Sequence, residues 1–225
     1  IYTAEYPAHK KIVFPGLEHE VTVVIDSYGV PHIFAQSEKD LSYVLGYLHA
    51  HDRLFQMDLQ RRLVEGRLSE VLGEAAYEYD AFFRTMGLKR GAVKTFELLV
   101  NISEGKKIPY YPQLDVDEIK EDAKHLLEII DAYCAGVNFA IDEMRSKGTL
   151  PVEFKLLNYE PEPWRPINVF EIDKLNCWAL TYTFADLHML LMLKAYNITS
   201  GGNGIAWLLE VVPIDRPLDH YIVPE

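Results

Sequence analysis

The chain has 225 residues, of which 49% are hydrophobic and 25% are charged. This composition supplies enough apolar surface for a large core and excludes an intrinsically disordered protein. With 22 Lys and Arg against 34 Asp and Glu, the net charge is −12, and the densest basic pair, Arg61–Arg62, is flanked by Glu65 and Glu70. Because phosphate binding needs clustered basic side chains, we expect no nucleic-acid partner.

The N-terminal region predicts a β-hairpin. Val21–Ile25 alternates and is β-branched, a turn follows that contains Gly29, and His32–Ala35 has the pattern of a second short strand. Asp40 is a candidate cap for the helical spacing that then runs to about residue 72. Three glycines interrupt that stretch, so we expect two or three successive helices rather than one: Gly46, Gly66 and Gly73.

Helical spacing returns over residues 115–147 and 169–196, on either side of a proline-rich segment at 148–168. Two cysteines, Cys134 and Cys177, lie in apolar stretches, and we expect both to be buried free thiols. No apolar run approaches the ~20 residues of a membrane span, so we expect none. The chain begins with Ile1 rather than Met and without a signal-peptide pattern, which favours a processed or trimmed chain.

Taken alone, the residues give few chemical signals. His49 and His51 are two positions apart and point about 200° apart on a helix, so they cannot chelate one ion. The nucleophile elbow Gly-x-Ser-x-Gly does not occur in the sequence. Asp52 and Arg53 are charged residues among apolar neighbours, where charges need partners. A structural ion pair is the favoured interpretation of these two residues, ahead of a catalytic pair.

Several ordered motifs resemble the α subunit of the penicillin acylase family. The first three lie between Val21 and Gly73, and the remainder follow in the second half of the chain. They read Asp26-Ser-Tyr-Gly-Val-Pro-His-Ile33, Gly46-Tyr-Leu-His-Ala-His-Asp-Arg-Leu-Phe-Gln-Met57, Gly66-Arg-Leu-Ser-Glu-Val-Leu-Gly73, Tyr133-Cys-Ala-Gly-Val-Asn138, Leu150-Pro151 and Trp164-Arg-Pro166. The resemblance covers nearly the whole chain and is weakest at residues 1–20 and 74–115.

The resemblance implies an N-terminal-nucleophile hydrolase, made as one precursor that cuts itself into a short α and a long β chain. The nucleophile would be the first residue of β, Ser or Cys, so we expect no catalytic residue in this chain. The implied fold class is α+β: a mainly helical α subunit with a small β-hairpin, part of a four-layer αββα fold completed by the β subunit. We expect an obligate heterodimer.

The resemblance also implies roles for individual residues. The helix after Trp164 would form a wall of the acyl pocket, and the residues expected to bind substrate are Cys177, Leu180, Thr181 and Phe184. They differ from the Met, Arg and Phe of family members that accept phenylacetyl groups. Asp52, Arg53 and Gln56 would belong to a structural motif. Asp186 is the nearest match to a family ligand for one Ca²⁺, shared with β, and no organic cofactor is implied.

The implied organisation places all residues in one α subunit. Its parts would be an N-terminal extension (1–20), the hairpin and motif helices (21–73), a helical segment (115–147), a proline-rich wrap (148–168), a pocket helix (169–196) and a C-terminal wrap (197–225). The expected substrates are small N-acyl amides, above all the acyl side chains of penicillins, which would link the enzyme to antibiotic resistance. An acyl-homoserine-lactone or cephalosporin acylase is the alternative within the family.

Two further expectations concern the location of the protein and its class. Members of the family that the chain resembles usually act outside the cytoplasm, which implies a periplasmic or secreted enzyme. A rival from another class is a non-catalytic helical binding or scaffold protein, whose apolar helices would contact partners. The gene sequence downstream of residue 225 distinguishes the two hypotheses, because a long continuation opening with Ser, Cys or Thr supports the enzyme.

Overall fold

The computed structural model describes residues 12–109, 111–181, 185–199 and 201–202. Most of these residues are helical, and the strands among them form one two-stranded antiparallel sheet. The predicted fold class, mainly helical with a small hairpin, is confirmed. The chain divides into two compact units, one ending at Trp178 and the other beginning at Ala179.

The hairpin consists of β1 (Thr22–Ile25) and β2 (Pro31–Phe34), paired so that Val23 lies opposite Ile33. The carboxylate of Asp26 closes the turn by accepting hydrogen bonds from two backbone N–H groups of the loop, at 2.8 and 2.9 Å. Val23 and Ile33 pack on the main core, while the opposite face of the sheet is exposed. The alternating residues of each strand therefore lie on two faces of the hairpin, one packed against the core and one exposed to solvent.

Helix α1 spans Glu38–Glu65 and begins at Ser37, whose side chain accepts a hydrogen bond from the backbone N–H of Asp40. The expectation that Asp40 is the cap is wrong by three residues. Its buried carboxylate instead accepts hydrogen bonds from the backbone N–H groups of Glu18 and His19, at 2.8 and 3.1 Å. Asp40 thus ties the segment before the hairpin to the first turn of α1.

The stretch after the hairpin consists of successive helices, as predicted, but the breaks lie at Arg53 and Gly66 and not at Gly46. Helix α1 continues through Gly46, kinks at Arg53, where φ is −139° and ψ is 23°, and ends at Gly66 with φ of 66°. The remaining helices follow in chain order: α2 (Ser69–Leu72), a 3₁₀ turn (Gly73–Ala76), α3 (Tyr77–Met86), α4 (Leu88–Ser103), α5 (Val116–Lys147), α6 (Val152–Leu156), α7 (Pro166–Thr181) and α8 (Ala185–Thr199).

Gly46 does not break α1 because it serves as a contact point with α5. A Cβ atom at Gly46 would overlap the backbone carbonyl of Tyr133, and a Cβ atom at Gly136 would overlap that of Tyr43. The two backbones are therefore close enough that only glycine fits at either position. Beside the crossing, the Tyr47 hydroxyl donates to Glu143 at 2.8 Å. Val44, Val137 and other apolar residues of α1 and α5 form the main core around it.

The proline-rich segment contributes to the core as well as to the surface. Within residues 148–168 the short helix α6 buries Phe154, and Trp164 is buried farther along. The predicted helix 169–196 is described as parts of α7 and α8, and residues 182–184 lie outside the described residues. Within the described residues, no helix has both the length and the apolar character needed to cross a membrane.

Replacing Gly136 with Ala is expected to destabilise the protein by about 1–3 kcal/mol, because the added methyl group forces α1 and α5 apart. The matched control is Gly91→Ala in α4, where a Cβ atom meets nothing within 4 Å. That substitution should be neutral or stabilise the helix by up to about 1 kcal/mol. Thermal unfolding of both variants measures the difference, and equal melting temperatures would contradict the close crossing.

Candidate functional site

The motif residues Asp52, Arg53 and Gln56 lie at the kink of α1. Arg53 and Gln56 are exposed, and the Arg53 guanidinium donates to the backbone carbonyl of Asp52 at 2.9 Å. The expectation of a buried charge pair here is wrong, because the Arg53 side chain is exposed. The Asp52 carboxylate is partly buried and lies 3.7 Å from His51 Nδ1.

The buried ion pairs of α1 lie farther along the helix, at Asp58. The Asp58 carboxylate is 1% exposed and accepts hydrogen bonds from Arg61 and, at 2.8 Å, from Arg62. It also accepts the hydroxyl of Tyr159 at 3.0 Å. Spacings of three and four residues put Arg61 and Arg62 beside Asp58 on a helix, so these pairs form within α1 itself.

A larger set of charges surrounds these pairs, and we call it the buried charge cluster after its buried centre, Asp58, Arg61, Arg62 and Glu65; its other members are partly exposed. Arg67 pairs with Glu65 at 2.7 Å, with Glu70 at 2.8 Å and with Glu162 at 2.5 Å, and Lys89 pairs with Glu65 at 2.7 Å. The cluster contains four cations and four carboxylates: Arg61, Arg62, Arg67, Lys89, Asp58, Glu65, Glu70 and Glu162.

The cluster shifts the pKa values of its carboxyls. The hydrogen bond from Arg67 lowers the pKa of Glu162 to about 2. At Glu65, burial works to raise the pKa, but the hydrogen bonds from Lys89 and Arg67 outweigh it and hold the value below the usual range. Both carboxyls are therefore ionised at neutral pH, as the balanced pairing of the cluster requires.

The buried charge cluster fixes the chain that leads into α7. Arg61 donates to the backbone carbonyl of Pro163 at 3.1 Å, and its guanidinium lies 5.1 Å from the ring centre of Trp164. The Asn138 side chain of α5 accepts a hydrogen bond from the backbone N–H of Trp164 at 2.7 Å and donates one to the backbone carbonyl of Trp164 at 2.9 Å. Helices α1 and α5 together hold the residues immediately before α7.

The inner face of α7 carries polar as well as apolar side chains. Asn168, Glu171 and Leu175 are buried along it, and Trp178 packs edge-on against Phe83 of α3 at 5.3 Å. Glu171 is 0% exposed and accepts a hydrogen bond from Asn168 Nδ2 at 2.7 Å. Burial raises the pKa of Glu171, and the negative charge of Glu65 adds to this effect.

The outer face of α7 holds two of the residues predicted to bind the acyl group. Leu180 is 84% exposed, and Cys177 is exposed with its Sγ atom 3.8 Å from Asp173 Oδ1. The expectation of a buried thiol is therefore wrong for Cys177 and correct for Cys134, which is buried. The side chain of Thr181 and the whole of Phe184 lie outside the described residues.

The structure does not test the predicted calcium ligand. The backbone of Asp186 lies in α8, but its side chain is outside the described residues. Among the side chains that are described, no three His, Cys, Asp or Glu residues come together as a metal-binding group.

His49 contacts the hydroxyl of Tyr133 through Nδ1 at 3.1 Å, and burial lowers the pKa of this histidine.

Comparison with known proteins gives the family. The sequence matches the penicillin amidase family over residues 20–109 and 110–211. The chain belongs to the penicillin amidase family. The resemblance inferred from the motifs is thereby confirmed.

Individual members of this family show how much is shared. Penicillin acylase 2 proenzyme of Pseudomonas sp. (strain SE83) is 38% identical over 160 residues, which are 71% of this chain and 17% of that protein. Acyl-homoserine lactone acylase QuiP of Pseudomonas syringae pv. tomato is 30% identical over 207 residues, 92% of this chain and 22% of that protein. The chain thus spans about a fifth of the length of these relatives.

A solved structure supports the same assignment. The thermostable penicillin G acylase from Alcaligenes faecalis aligns with a TM-score of 0.60 and 28% sequence identity. The alignment covers 92% of this chain and 97% of the chain in that structure. The penicillin amidase α subunit is therefore matched along nearly its whole length, including its mostly helical fold and hairpin.

Sequence reasoning missed several members of the site. Asp58 could have been found, because an acid three and four residues before two arginines is a pattern that pairs on a helix. Glu162 and Tyr159 reach the cluster from about a hundred residues away. Nothing in the sequence near Glu171 signals that its carboxyl is buried.

Asp58→Ala is expected to cost about 3–5 kcal/mol of stability, because it leaves two buried guanidinium groups without their shared carboxylate. Arg53→Ala, at the exposed kink, should change stability by no more than about 0.5 kcal/mol. Denaturant unfolding of the two variants beside the wild type makes the comparison. A large loss for Arg53→Ala with a small one for Asp58→Ala would reverse the assignment.

Proposed function

We propose that this chain is the α subunit of an amide-bond hydrolase whose nucleophile, Ser or Cys, is the first residue of a separate β chain. The observation that carries the proposal is the family match over residues 20–109 and 110–211, with 97% coverage of a penicillin G acylase chain. Both chains would arise from one precursor by autoproteolytic cleavage. The family relationship supports this route, since one relative carries the name proenzyme.

The proposed reaction needs no catalytic side chain from α. The β-chain hydroxyl or thiol attacks the amide carbonyl, and its proton passes through the N-terminal amine of β to the departing amine. A covalent acyl-enzyme remains, and water attacks it to release the carboxylic acid and restore the nucleophile. The part of α is to bind and orient the acyl group.

The proposed substrates are N-acyl amides with apolar acyl groups. The proposed wall consists of Cys177, Leu180, Thr181 and Phe184, the positions that the family resemblance implies, and all four side chains are uncharged. Cys177 and Leu180 are exposed on α7. Penicillins are the first candidate, because the relative with 38% identity is a penicillin acylase. N-acyl-homoserine lactones are the second, since a lactone acylase matches 92% of the chain. Removal of a penicillin side chain would connect the enzyme to antibiotic resistance.

The proposed partner is the β chain, in an obligate heterodimer. Apolar side chains are exposed on the outer face of the hairpin, at Val24 and Phe34, and on α8, at Leu191, Met192 and Ile198. A hairpin of two strands is marginal alone, and clustered exposed apolar residues mark interaction surfaces. A β chain that completes the four-layer αββα fold would cover both surfaces.

Two further features belong to the same proposal. Asp186 would supply one carboxylate to a Ca²⁺ ion shared with β, because oxygen ligands suit this ion. Elemental analysis of the purified heterodimer tests this feature, with one calcium per αβ pair expected. We also propose a periplasmic or secreted location, which cell fractionation with a cytoplasmic marker as control would decide.

Co-expression of α and β from the precursor gene tests the proposed activity. The processed heterodimer should release amines from penicillins or from N-acyl-homoserine lactones, whereas the α chain alone should release none. The control is a precursor in which the first β residue is replaced by Ala, which should remain uncut and inactive. A scaffold protein without activity would be indicated by a purified, folded αβ complex that hydrolyses neither class.

Leu180→Phe is expected to change the ranking of acyl donors, because enlarging an apolar wall shifts discrimination by about 1–3 kcal/mol. Long and aromatic acyl groups should lose kcat/KM relative to short ones, while precursor cleavage persists. The control is Leu126→Phe, the same substitution at an exposed position of α5. If both variants lower kcat/KM for all donors equally, Leu180 does not line the acyl pocket.

A further inference from the structure

Glu171 is a buried carboxyl on α7 whose pairing differs from that of the buried charge cluster. Its Oε2 atom accepts from Asn168 at 2.7 Å, while among the described residues its buried Oε1 atom has no hydrogen-bond partner. The carboxylates of the cluster, in contrast, are each paired with at least one Arg or Lys. An ionised carboxylate with a single neutral donor is costly in a buried site.

Three charged groups face Glu171: Arg61 and Glu65 of α1 and Lys89 of α4. Burial, the largest effect, and the negative charge of Glu65 favour the neutral carboxyl, whereas the hydrogen bond from Asn168 and the two cations favour the ionised form. The four cations of the cluster are already balanced by four carboxylates, and Lys89 is bonded to Glu65 at 2.7 Å. An ionised Glu171 would therefore add an uncompensated negative charge beside Glu65. Burial and the Glu65 charge both raise the pKa of Glu171, in agreement with this count.

The position of Glu171 connects the cluster to the proposed acyl wall. Asn168, Glu171 and Leu175 lie along the buried side of α7, and Cys177 lies on its exposed side. Glu171 and Cys177 are six residues apart, about 9 Å along a helix axis. A helix turn moves as a unit, so a displacement at Glu171 also moves Cys177.

We propose that Glu171 is a positioning residue for the acyl-binding face of α7: its neutral carboxyl keeps α7 packed against α1 and α4, and its ionisation displaces the helix and changes which acyl chains are accepted. The effect on acyl chains rests on the proposed function; the protonation state and the helix displacement do not. Glu171 acts through α7 and does not touch the reacting amide.

The direction of the pH dependence follows from the raised pKa. A neutral carboxyl is favoured in the folded protein, so its contribution to stability is complete below the pKa of an unfolded glutamate. It is lost as the pH rises through the folded pKa. Glu171→Gln keeps the shape and stays neutral, so the variant should keep its melting temperature where the wild type declines.

The first test measures the protonation state and the helix without using activity. Infrared difference spectra of the αβ protein, wild type minus Glu171→Gln, should contain the C=O band of a neutral carboxylic acid at neutral pH. When the pH exceeds the pKa of Glu171 in the folded protein, the α7 peptides of the wild type should exchange amide hydrogens faster than those of Glu171→Gln. Below that pKa, the two proteins should exchange at equal rates. A carboxylate band in place of the acid band, or equal exchange at every pH, would overturn the proposal.

Glu65→Gln provides the matched contrast to Glu171→Gln. Glu65 is also a buried glutamate and lies near Glu171, but its carboxyl is ionised. The substitution removes the charge that pairs with Arg67 and Lys89, so it should lower the melting temperature at neutral pH, where Glu171→Gln should not. If Glu171→Gln destabilises the protein as much as Glu65→Gln at neutral pH, Glu171 is ionised and the proposal is wrong.

The second test measures acyl preference. In the wild-type heterodimer, the ratio of kcat/KM for a short and a long acyl donor should change by roughly tenfold across the titration of Glu171. In Glu171→Gln the ratio should stay at the low-pH value. A ratio that titrates equally in both proteins would remove the positioning role. Absence of hydrolysis by either protein would instead count against the proposed function, and the infrared and exchange results would still decide the state of Glu171.

Discussion

The close crossing of α1 and α5 at Gly46 and Gly136 is the contact on which the other features of this chain depend. Each glycine faces a backbone carbonyl of the opposite helix, so neither position has room for a side chain. The short distance lets Ser42 and Tyr47 of α1 reach α5, where they bond the Ile129 carbonyl and Glu143 at 3.0 and 2.8 Å. Packing and hydrogen bonding therefore fix the relative position of two long helices.

The crossing determines where the polar parts of the fold can form. With α5 fixed, Asn138 holds the backbone of Trp164, and with α1 fixed, Arg61 holds the backbone of Pro163. The buried charge cluster then joins α1 to residues 159–162, which precede α7 in the chain. Buried ion pairs contribute little net stability when complete, but they tolerate no missing partner. This requirement makes the cluster suited to placing α7 in one position.

The sequence predicted those elements that are set by local patterns. The hairpin follows from alternation around a turn, and α5 follows from helical spacing after Asp115, which accepts hydrogen bonds from two N–H groups of its first turn. The motif residues were by themselves sufficient to indicate the family. Local patterns could not predict the kink at Arg53, because neither a proline nor a glycine marks that position. They also could not predict that Glu162 pairs with Arg67 or that Tyr159 bonds Asp58, because each contact joins residues about a hundred positions apart.

Native-state hydrogen exchange of the αβ protein tests most directly whether the glycine crossing is the structural foundation. We expect the slowest-exchanging amides to lie in α1 and α5 around Gly46 and Gly136, since the last regions to open are those with the largest packing contribution. Amides of the hairpin and of α8 should exchange earlier. Exchange at the crossing as fast as in α8 would show that the fold does not depend on this contact.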